Sequence, residues 1–432
     1  MNGKQPSSDR RRFLISAAAA AMGCPVFVPS HALGRGGVAA SERIGLAYLG
    51  PGNRGRQLVR EFAMRPDVES LLVCDPQRDR RQLALAAQRE AGERRPQGPG
   101  TCGQCIDFRE ALARSDVDAV VVSAPEFWRP ILCILAAKAG KDIYTEKPYS
   151  LTIGEGRAMF EAVRRHGRVF QHGTQRRSNN EQGLRDSCEL ARNGRLGKLT
   201  HATVWVGPGP TSDRVDYTAW PPPPPRDVLD WELWLGPAPL RPYSDRILGW
   251  NWHITRNFGL GSIGNWGAHT LDMAQWALGK DAESPVAALP PGAAGPHLVL
   301  RYADGLEIRV PRTKGDCSDV AVFGSAGQKI ILGRPPVTEE YDETPLGPSD
   351  LRLYRADRGD HLGNWLQCIR TRGSTICNEE VGLRSGLLCH LIDIVDRLQR
   401  PLKFDPARLE FPGDDEAQRL SDTPKRSPWQ IY

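Results

Sequence analysis

No stretch of the sequence offers the roughly 18 uninterrupted apolar residues that a membrane-spanning helix needs, so a membrane-embedded protein is not expected. Lys and Arg number 57 against 51 Asp and Glu, a formal charge of only +6, and the arginines are scattered. A nucleic-acid binder would gather them into a stripe with interleaved aromatics, so that class of partner is not expected either. The ten cysteines are dispersed, and Cys102 and Cys105 are the one close pair. Without a second such pair a zinc ribbon is ruled out, and without a local HxxxH or HxH run a helical metal site has too few ligands; no metal is expected. The Cys102–Cys105 pair falls in a Gly/Pro/Gln-rich segment, which predicts an exposed loop with at most a local disulfide. No internal repeat is visible, which sets aside solenoids and propellers. What remains is a soluble globular composition, 40% hydrophobic and 25% charged, on a 432-residue chain long enough for two or three domains.

The N-terminus has its own pattern. Arg10, Arg11 and Arg12 precede Phe13-Leu14, an alanine-rich run to Met22, Pro25 and Pro29, and a small-x-small site at Ser30-His31-Ala32. A positive segment, a short apolar segment and a cleavage site make residues 1–32 an export signal, and the arginine pair before Phe13-Leu14 looks like the twin-arginine kind. The expected partner is the twin-arginine export machinery, which moves folded proteins, and the expected location is periplasmic or otherwise extracytoplasmic. Residues 33–41 read as a flexible linker.

From Arg43 onward strands and helices alternate. Strands are predicted at Arg43–Leu49, Val68–Cys74, Ala119–Ser123, Asp142–Thr145 and Arg168–His172. Helices are predicted at Gln57–Met64, Arg78–Gly92, Phe108–Ala113, Ile131–Ala139 and Thr152–His166. Short loops between such elements imply a doubly wound parallel sheet of the Rossmann kind over residues 42–175. The texture then changes. Gly197–Val206 alternates like a half-buried strand, and Pro208–Pro225 is proline-rich and extended, closing on five consecutive prolines. A helix is predicted from about Trp266, strands in His297–Arg312 and Val320–Leu332, and helices at His361–Arg370 and Glu379–Leu398. The fold class is therefore α/β: a Rossmann domain, then an α+β domain (176–432) with an open, mostly antiparallel sheet.

Three groups of residues carry chemistry. The first strand runs into Gly50-Pro51-Gly52-Asn53-Arg54-Gly55, a GxGxxG turn between strand and helix. Gly50 permits the tight turn, Gly52 lets backbone approach a pyrophosphate, and Gly55 lets helix and strand pack closely. Asp75 ends the second strand, about twenty residues on, where a carboxylate can bond both ribose hydroxyls. That predicts NAD; NADP stays open because Arg78 lies nearby. In the second group, Glu146-Lys147-Pro148 follows the Asp142–Thr145 strand, placing Lys147 at the carboxyl edge of a parallel sheet, where ligands bind. A lysine there can donate to a substrate hydroxyl or take its proton if its pKa is lowered, although a strand-end lysine taken alone is more often a surface cation. In the third, His269 and Asp272 share a face of the helix predicted from Trp266. The imidazole can act as acid or base, with Asp272 or a carbonyl fixing its tautomer; taken alone, a helical histidine is usually structural.

In this order the motifs resemble the Gfo/Idh/MocA oxidoreductase family (glucose–fructose oxidoreductase, inositol dehydrogenase and relatives). The resemblance also rests on Val117-Asp118-Ala119-Val120 before Ala124-Pro125, on Gln171–Ser178 (QHGTQRRS, containing Arg176), on Phe323-Gly324 to Gly327 and on Pro428-Trp429. It implies a nicotinamide cofactor bound at Gly50, Gly52, Asn53, Arg54, Gly55, Asp75, Ala124, Pro125, Glu146 and Lys147. It implies hydride transfer at a ring carbinol, with Lys147 and His269 as active-site residues and Asn265, Asp272, Trp128 and Arg176 near the substrate, and assembly as a homo-oligomer. Two departures stand out: Asn265 replaces an Asp four residues before the histidine, and Glu126-Phe127-Trp128-Arg129 replaces a histidine-bearing run. Phe127 and Trp128 are expected to wall the cofactor and Arg129 to meet an acidic group.

Three functions fit. The first is an oxidoreductase acting on a sugar or polyol ring hydroxyl. The second is a redox-neutral enzyme, glycosidase or epimerase in type, whose tightly held NAD takes and returns the same hydride. The third is a dinucleotide-binding protein without turnover. Trp231, Trp234, Trp250 and Trp252 are expected to fill core, with stacking on a sugar face as the alternative.

Overall fold

The computed structural model describes residues 38–96, 98–178, 183–211, 221–311, 320–325, 327–332, 341–342, 344–354 and 360–430. The export signal (1–32), most of the linker and part of the proline-rich run lie outside the described residues.

The first half alternates β1 (Ile44–Leu49), α1 (Asn53–Ala63), β2 (Val68–Cys74), α2 (Arg78–Gly92), β3 (Gly103–Cys105), α3 (Phe108–Ala113), β4 (Ala119–Val122), α4 (Arg129–Lys138), β5 (Asp142–Glu146), α5 (Ile153–Arg165) and β6 (Phe170–Gly173). The strands pair in parallel in the order β3-β2-β1-β4-β5-β6. Helices on both faces leave β1, β4 and β5 buried along their whole length, which is why β1 and β4 read as unbroken apolar runs; β5 is buried although it carries Asp142, Thr145 and Glu146. Strand order reverses between β1 and β4, so a crevice opens beyond their carboxyl ends.

The second half contains α6 (Leu184–Arg192), β7 (Leu199–Val204), α7 (Trp231–Leu235), α8 (Asp245–Leu248), α9 (Ala268–Leu278), β8 (Ala287–Leu289), β9 (Leu298–Arg301), β10 (Glu307–Val310), β11 (Val320–Gly324), β12 (Lys329–Leu332), α10 (His361–Thr371), α11 (Glu379–Leu398), β13 (Leu402–Lys403) and α12 (Asp415–Leu420). Its sheet runs β12-β11-β7-β10-β9-β8-β13, antiparallel at every pair except β7 with β10. One face packs on α9 and α11.

Helix α11 joins the halves. Asn378 caps it, accepting from the amides of Glu380 and Val381 at 3.1 Å. It packs on α5 and β6 on one side and on α9, β8 and β9 on the other. A Cβ on its Gly382 would lie 2.5 Å from the Tyr149 ring, so only glycine admits that ring. Tyr149 stands two residues after Lys147, and the close approach anchors the Lys147 loop against the second domain.

The structure corrects two local expectations. Cys102–Cys105 is not a loop: Gly103–Cys105 is the edge strand of the parallel sheet, Cys105 is buried opposite Cys74, and both thiols of the pair are free. Burial pushes the Cys102 thiol up to about 12, far from the pKa of a reactive thiolate. The α9 helix starts at Ala268, two residues later than expected, because Ile263–Gly267 forms a π-type turn ahead of it. Such turns displace side chains from the helical raster and recur at functional sites.

Candidate active site

The glycine turn is built as its spacing implied. Gly50 has φ +68°, and a Cβ there would stand 2.5 Å from the Ala124 backbone, so the turn lies hard against the end of β4. A Cβ on Gly55 would meet Ser123 Oγ at 2.2 Å, which holds α1 tightly on the sheet. A Cβ on Gly52, by contrast, would meet nothing within 4 Å, so this backbone is open to a ligand. No side chain caps α1, and its first amides are left to an anion. Asn53 and Arg54 line the same space. Arg54 Nε donates to Glu146 Oε1 at 3.0 Å and is held there, across the crevice from its own helix.

Asp75 follows β2 with 7% of its surface exposed, and Oδ1 accepts from the Gln77 amide at 2.9 Å. Burial raises its carboxyl to about 7, offset by the Gln77 bond and by Arg80 and Arg81. It lines one end of a cavity of about 650 Å³ that also takes in Gly50, Gly52, Ala124, Pro125, Glu146, Lys147, Asn265 and His269. That volume is in the ordinary range for small-molecule and cofactor sites.

Lys147 stands at the carboxyl end of β5, before a cis bond to Pro148, and its Nζ donates to Asn265 Oδ1 from the π-type turn. Burial lowers the ammonium's pKa; Arg129 and Arg54 push the same way, against Glu146 and Glu126. His269 lies one helical turn beyond Asn265. Burial, then the charges of Lys147 and Arg176, hold its pKa well below the usual imidazole value. Among the described residues its Nδ1 has no hydrogen-bond partner. A neutral imidazole and an easily deprotonated amine therefore face one space.

Four expectations for individual residues do not hold. Asp272 neither lines the cavity nor orients His269: its carboxylate receives Arg177 Nε at 2.8 Å and Nη2 at 2.7 Å, with both side chains 1% exposed. Arg176 is outside the cavity wall and lays Nη1 on Met273 Sδ at 3.5 Å. Phe127 turns into the core, edge-on to Trp234 and Phe258, because the apolar ring finds its partners there. Arg129 is not turned to a ligand's acidic group: it is buried, donating to the carbonyls of Ala124 at 2.9 Å and Pro148 at 2.7 Å, so it clamps the two loops that carry the site, and the acids its charge acts on are the protein's own Glu126 and Glu146. Trp128 does form wall, but its one donor is spent on the Trp234 carbonyl at 2.8 Å. Among the other tryptophans, Trp234 is buried at the cavity wall with Trp231 stacked on it at 5.0 Å, and Trp250 and Trp252 line the same cavity.

Sequence reading missed Glu126. It is 2% exposed, accepts the Leu260 amide at 2.8 Å, and is raised to about 7 by burial, with Arg129 and Lys147 opposing. Its place after Ala124-Pro125 was visible in the sequence. The segment that encloses it comes from 134 residues later, and no local pattern announces that.

Residues 44–174 match the profile of the NAD-binding Rossmann fold of the Gfo/Idh/MocA oxidoreductases, and residues 215–431 that of the family's C-terminal α/β domain. A glycosyl hydrolase family 109 protein of Shewanella sp. (strain W3-18-1) is 31% identical over 110 residues, 26% of this chain and 24% of that protein; the match spans about a quarter of the relative's length. The WlbA dehydrogenase of Bordetella pertussis, solved with NADH and UDP-GlcNAcA, shares the fold at TM-score 0.56 and 18% identity, over 84% of this chain and 99% of that one. The aldose-aldose oxidoreductase of Caulobacter crescentus, complexed with glycerol, does so at TM-score 0.53 and 20% identity, over 84% and 100%.

Proposed function

This chain belongs to the Gfo/Idh/MocA oxidoreductase family, and from that premise we propose that it moves a hydride between NAD and a ring hydroxyl carbon of a sugar or polyol. The observation that carries the reading is the convergence of Lys147, Asn265 and His269 on the cavity that also holds the Gly50–Gly55 turn and Asp75. The residues fit a nicotinamide dinucleotide: open backbone at Gly52 and uncapped amides of α1 for the pyrophosphate, and a carboxyl at Asp75 for the ribose. When bound, the nicotinamide supplies the hydride acceptor or donor. Lys147 takes the hydroxyl proton on Nζ, since its ammonium is already destabilised by burial. His269, kept neutral, donates or accepts a hydrogen bond that orients the ring. The test is absorbance at the reduced-nicotinamide band on mixing purified protein, NAD and a sugar and polyol panel. Growth of the band supports the reading, and silence from every compound that binds rejects it.

Asp75 favours NAD, because a 2′-phosphate would meet a carboxyl at the end of β2. Asp75→Ser is expected to weaken NAD binding about tenfold and to narrow the NAD/NADP preference, read by titrating each cofactor. Asn265 sets the pH range. Asn265→Asp would place a carboxylate on Lys147 Nζ and favour the charged amine. The folded pKa of Lys147 then rises, and the pH at which the neutral amine becomes available rises with it. The acid limb of the kcat/KM profile for alcohol oxidation is expected to move upward by about one unit or more.

A second reading is favoured by the match to a glycosyl hydrolase family 109 protein: a redox-neutral cycle in which NAD stays bound. Export of a folded, NAD-loaded protein through the twin-arginine route, proposed from residues 10–14, suits that cycle, since free dinucleotide is scarce outside the cell. Product without net absorbance change and without added NAD would favour it. A signal-reporter fusion that stays cytoplasmic would remove the export proposal.

A further inference from the structure

Large apolar side chains left open on a soluble protein call for an occupant. Trp250 is 57% exposed and Trp266 51%, and both stand on the wall of the same cavity, with the half-buried Trp252 and with His253 between them in the chain. Trp266 belongs to the reacting end: it is the neighbour of Asn265 in the π-type turn, and Asn265 holds Lys147; Trp250 stands on the same wall beside His253. The Trp250 ring meets that of His253 at a tilt of 52°, centroids 4.4 Å apart, and this contact braces its orientation. Next to it, a Cβ on Gly249 would meet no atom within 4 Å, so the backbone that carries Trp250 is not packed over there. The turn that carries Trp252 and His253, Asn251–Ile254, holds the cluster on regular backbone. Among the described residues neither the Trp250 nor the Trp266 indole donates to a protein atom.

The indole faces of Trp250 and Trp266 stay available on the wall that Lys147 and His269 also line. We infer that the substrate has at least two rings: a glycosidically linked sugar whose reacting ring meets Lys147 and His269, and whose second pyranose lies on Trp250 and Trp266. Indole faces suit this task because the C–H face of a pyranose is apolar while its rim is polar, and an aromatic ring binds such a plate with little loss of conformational freedom. This rests on the sugar reading given above, so its test separates the two.

NAD-loaded full-length protein is titrated, by calorimetry and by tryptophan fluorescence, with the methyl glycosides of glucose, galactose, N-acetylglucosamine and N-acetylgalactosamine, and with disaccharides carrying each of these rings. The expected result is that at least one disaccharide binds ten times or more tighter than its matched methyl glycoside. In Trp250→Ala and Trp266→Ala that ratio falls below about three, with the melting temperature unchanged because both side chains are exposed. Equal affinity for both series, or a disaccharide preference that survives both substitutions, overturns the inference. Binding is read without turnover. A disaccharide that binds in this Trp-dependent way but leaves the nicotinamide band still therefore sinks the oxidoreductase reading alone, and absence of binding by every compound sinks both.

Discussion

Lys147→Met is expected to lower kcat by 10²- to 10⁴-fold while changing the NAD dissociation constant less than threefold. The amine sits at the end of β5, and its nitrogen, not its aliphatic stem, reaches Asn265 across the domain boundary. Methionine keeps the length and the apolar stem and removes the one atom that can hold the proton. A positioned acid–base group contributes rates of that size. Of the two candidates, the lysine starts from the higher ordinary pKa. The imidazole of His269 is pushed well below its ordinary pKa by burial and by the neighbouring cations, so a proton released at the hydroxyl settles on the amine. Stopped-flow measurement of the nicotinamide band in a single turnover isolates the chemical step. A variant that turns over at the parent rate would take Lys147 out of the mechanism. If the acid limb of the pH profile survives intact in a slow variant, the proton acceptor is His269 instead.

Why so much of the first domain was legible in sequence is a matter of burial and spacing. The strands β1 and β4 are covered on both faces, so apolar runs mark them; Val68–Cys74, Arg78–Gly92 and Phe108–Ala113 fall where patterning puts them. GxGxxG and Asp75 are local signals because a turn and a strand end are local structures. The second domain was less open to that reasoning. The α6 helix, Leu184–Arg192, went unseen, and β7 pairs with β10, more than 100 residues away, in parallel. In the site itself, the misreadings of Asp272, Phe127 and Arg129 share one cause. Each is a residue whose type allows two roles, and the choice depended on partners distant in the chain: Arg177 for Asp272, Phe258 and Trp234 for Phe127, the Pro148 carbonyl for Arg129. Trp250 makes the opposite case. It was expected in the core and lies open on the cavity, in the turn after α8.

Asp272 offers the sharpest separation of a structural from a catalytic role. Asp272→Asn is expected to destabilise the protein by on the order of 3 kcal/mol, at the lower end of what breaking a buried pair costs. The lower end applies because Arg177 keeps a second carboxylate, Asp281, at 2.9 Å. The guanidinium also lies against the Trp276 ring at 5.4 Å, and its planar fork is matched by both oxygens of Asp272, which an amide cannot reproduce. At a few degrees per kcal/mol, the melting temperature should fall by roughly 6–12 °C. The double variant Arg177→Met, Asp272→Leu removes both buried charges and should recover part of that loss, since exchanging a whole buried pair for apolar side chains is far milder than orphaning one partner. Turnover of the folded Asp272→Asn protein, assayed well below its melting temperature, should stay within about threefold of the parent. Had Asp272 set the tautomer of His269, the pattern would reverse, with a heavy loss of kcat at an unaltered melting temperature. The Arg177–Asp272 pair instead joins the turn after β6 to α9, so its work is to hold the helix that presents His269 against the domain that presents Lys147.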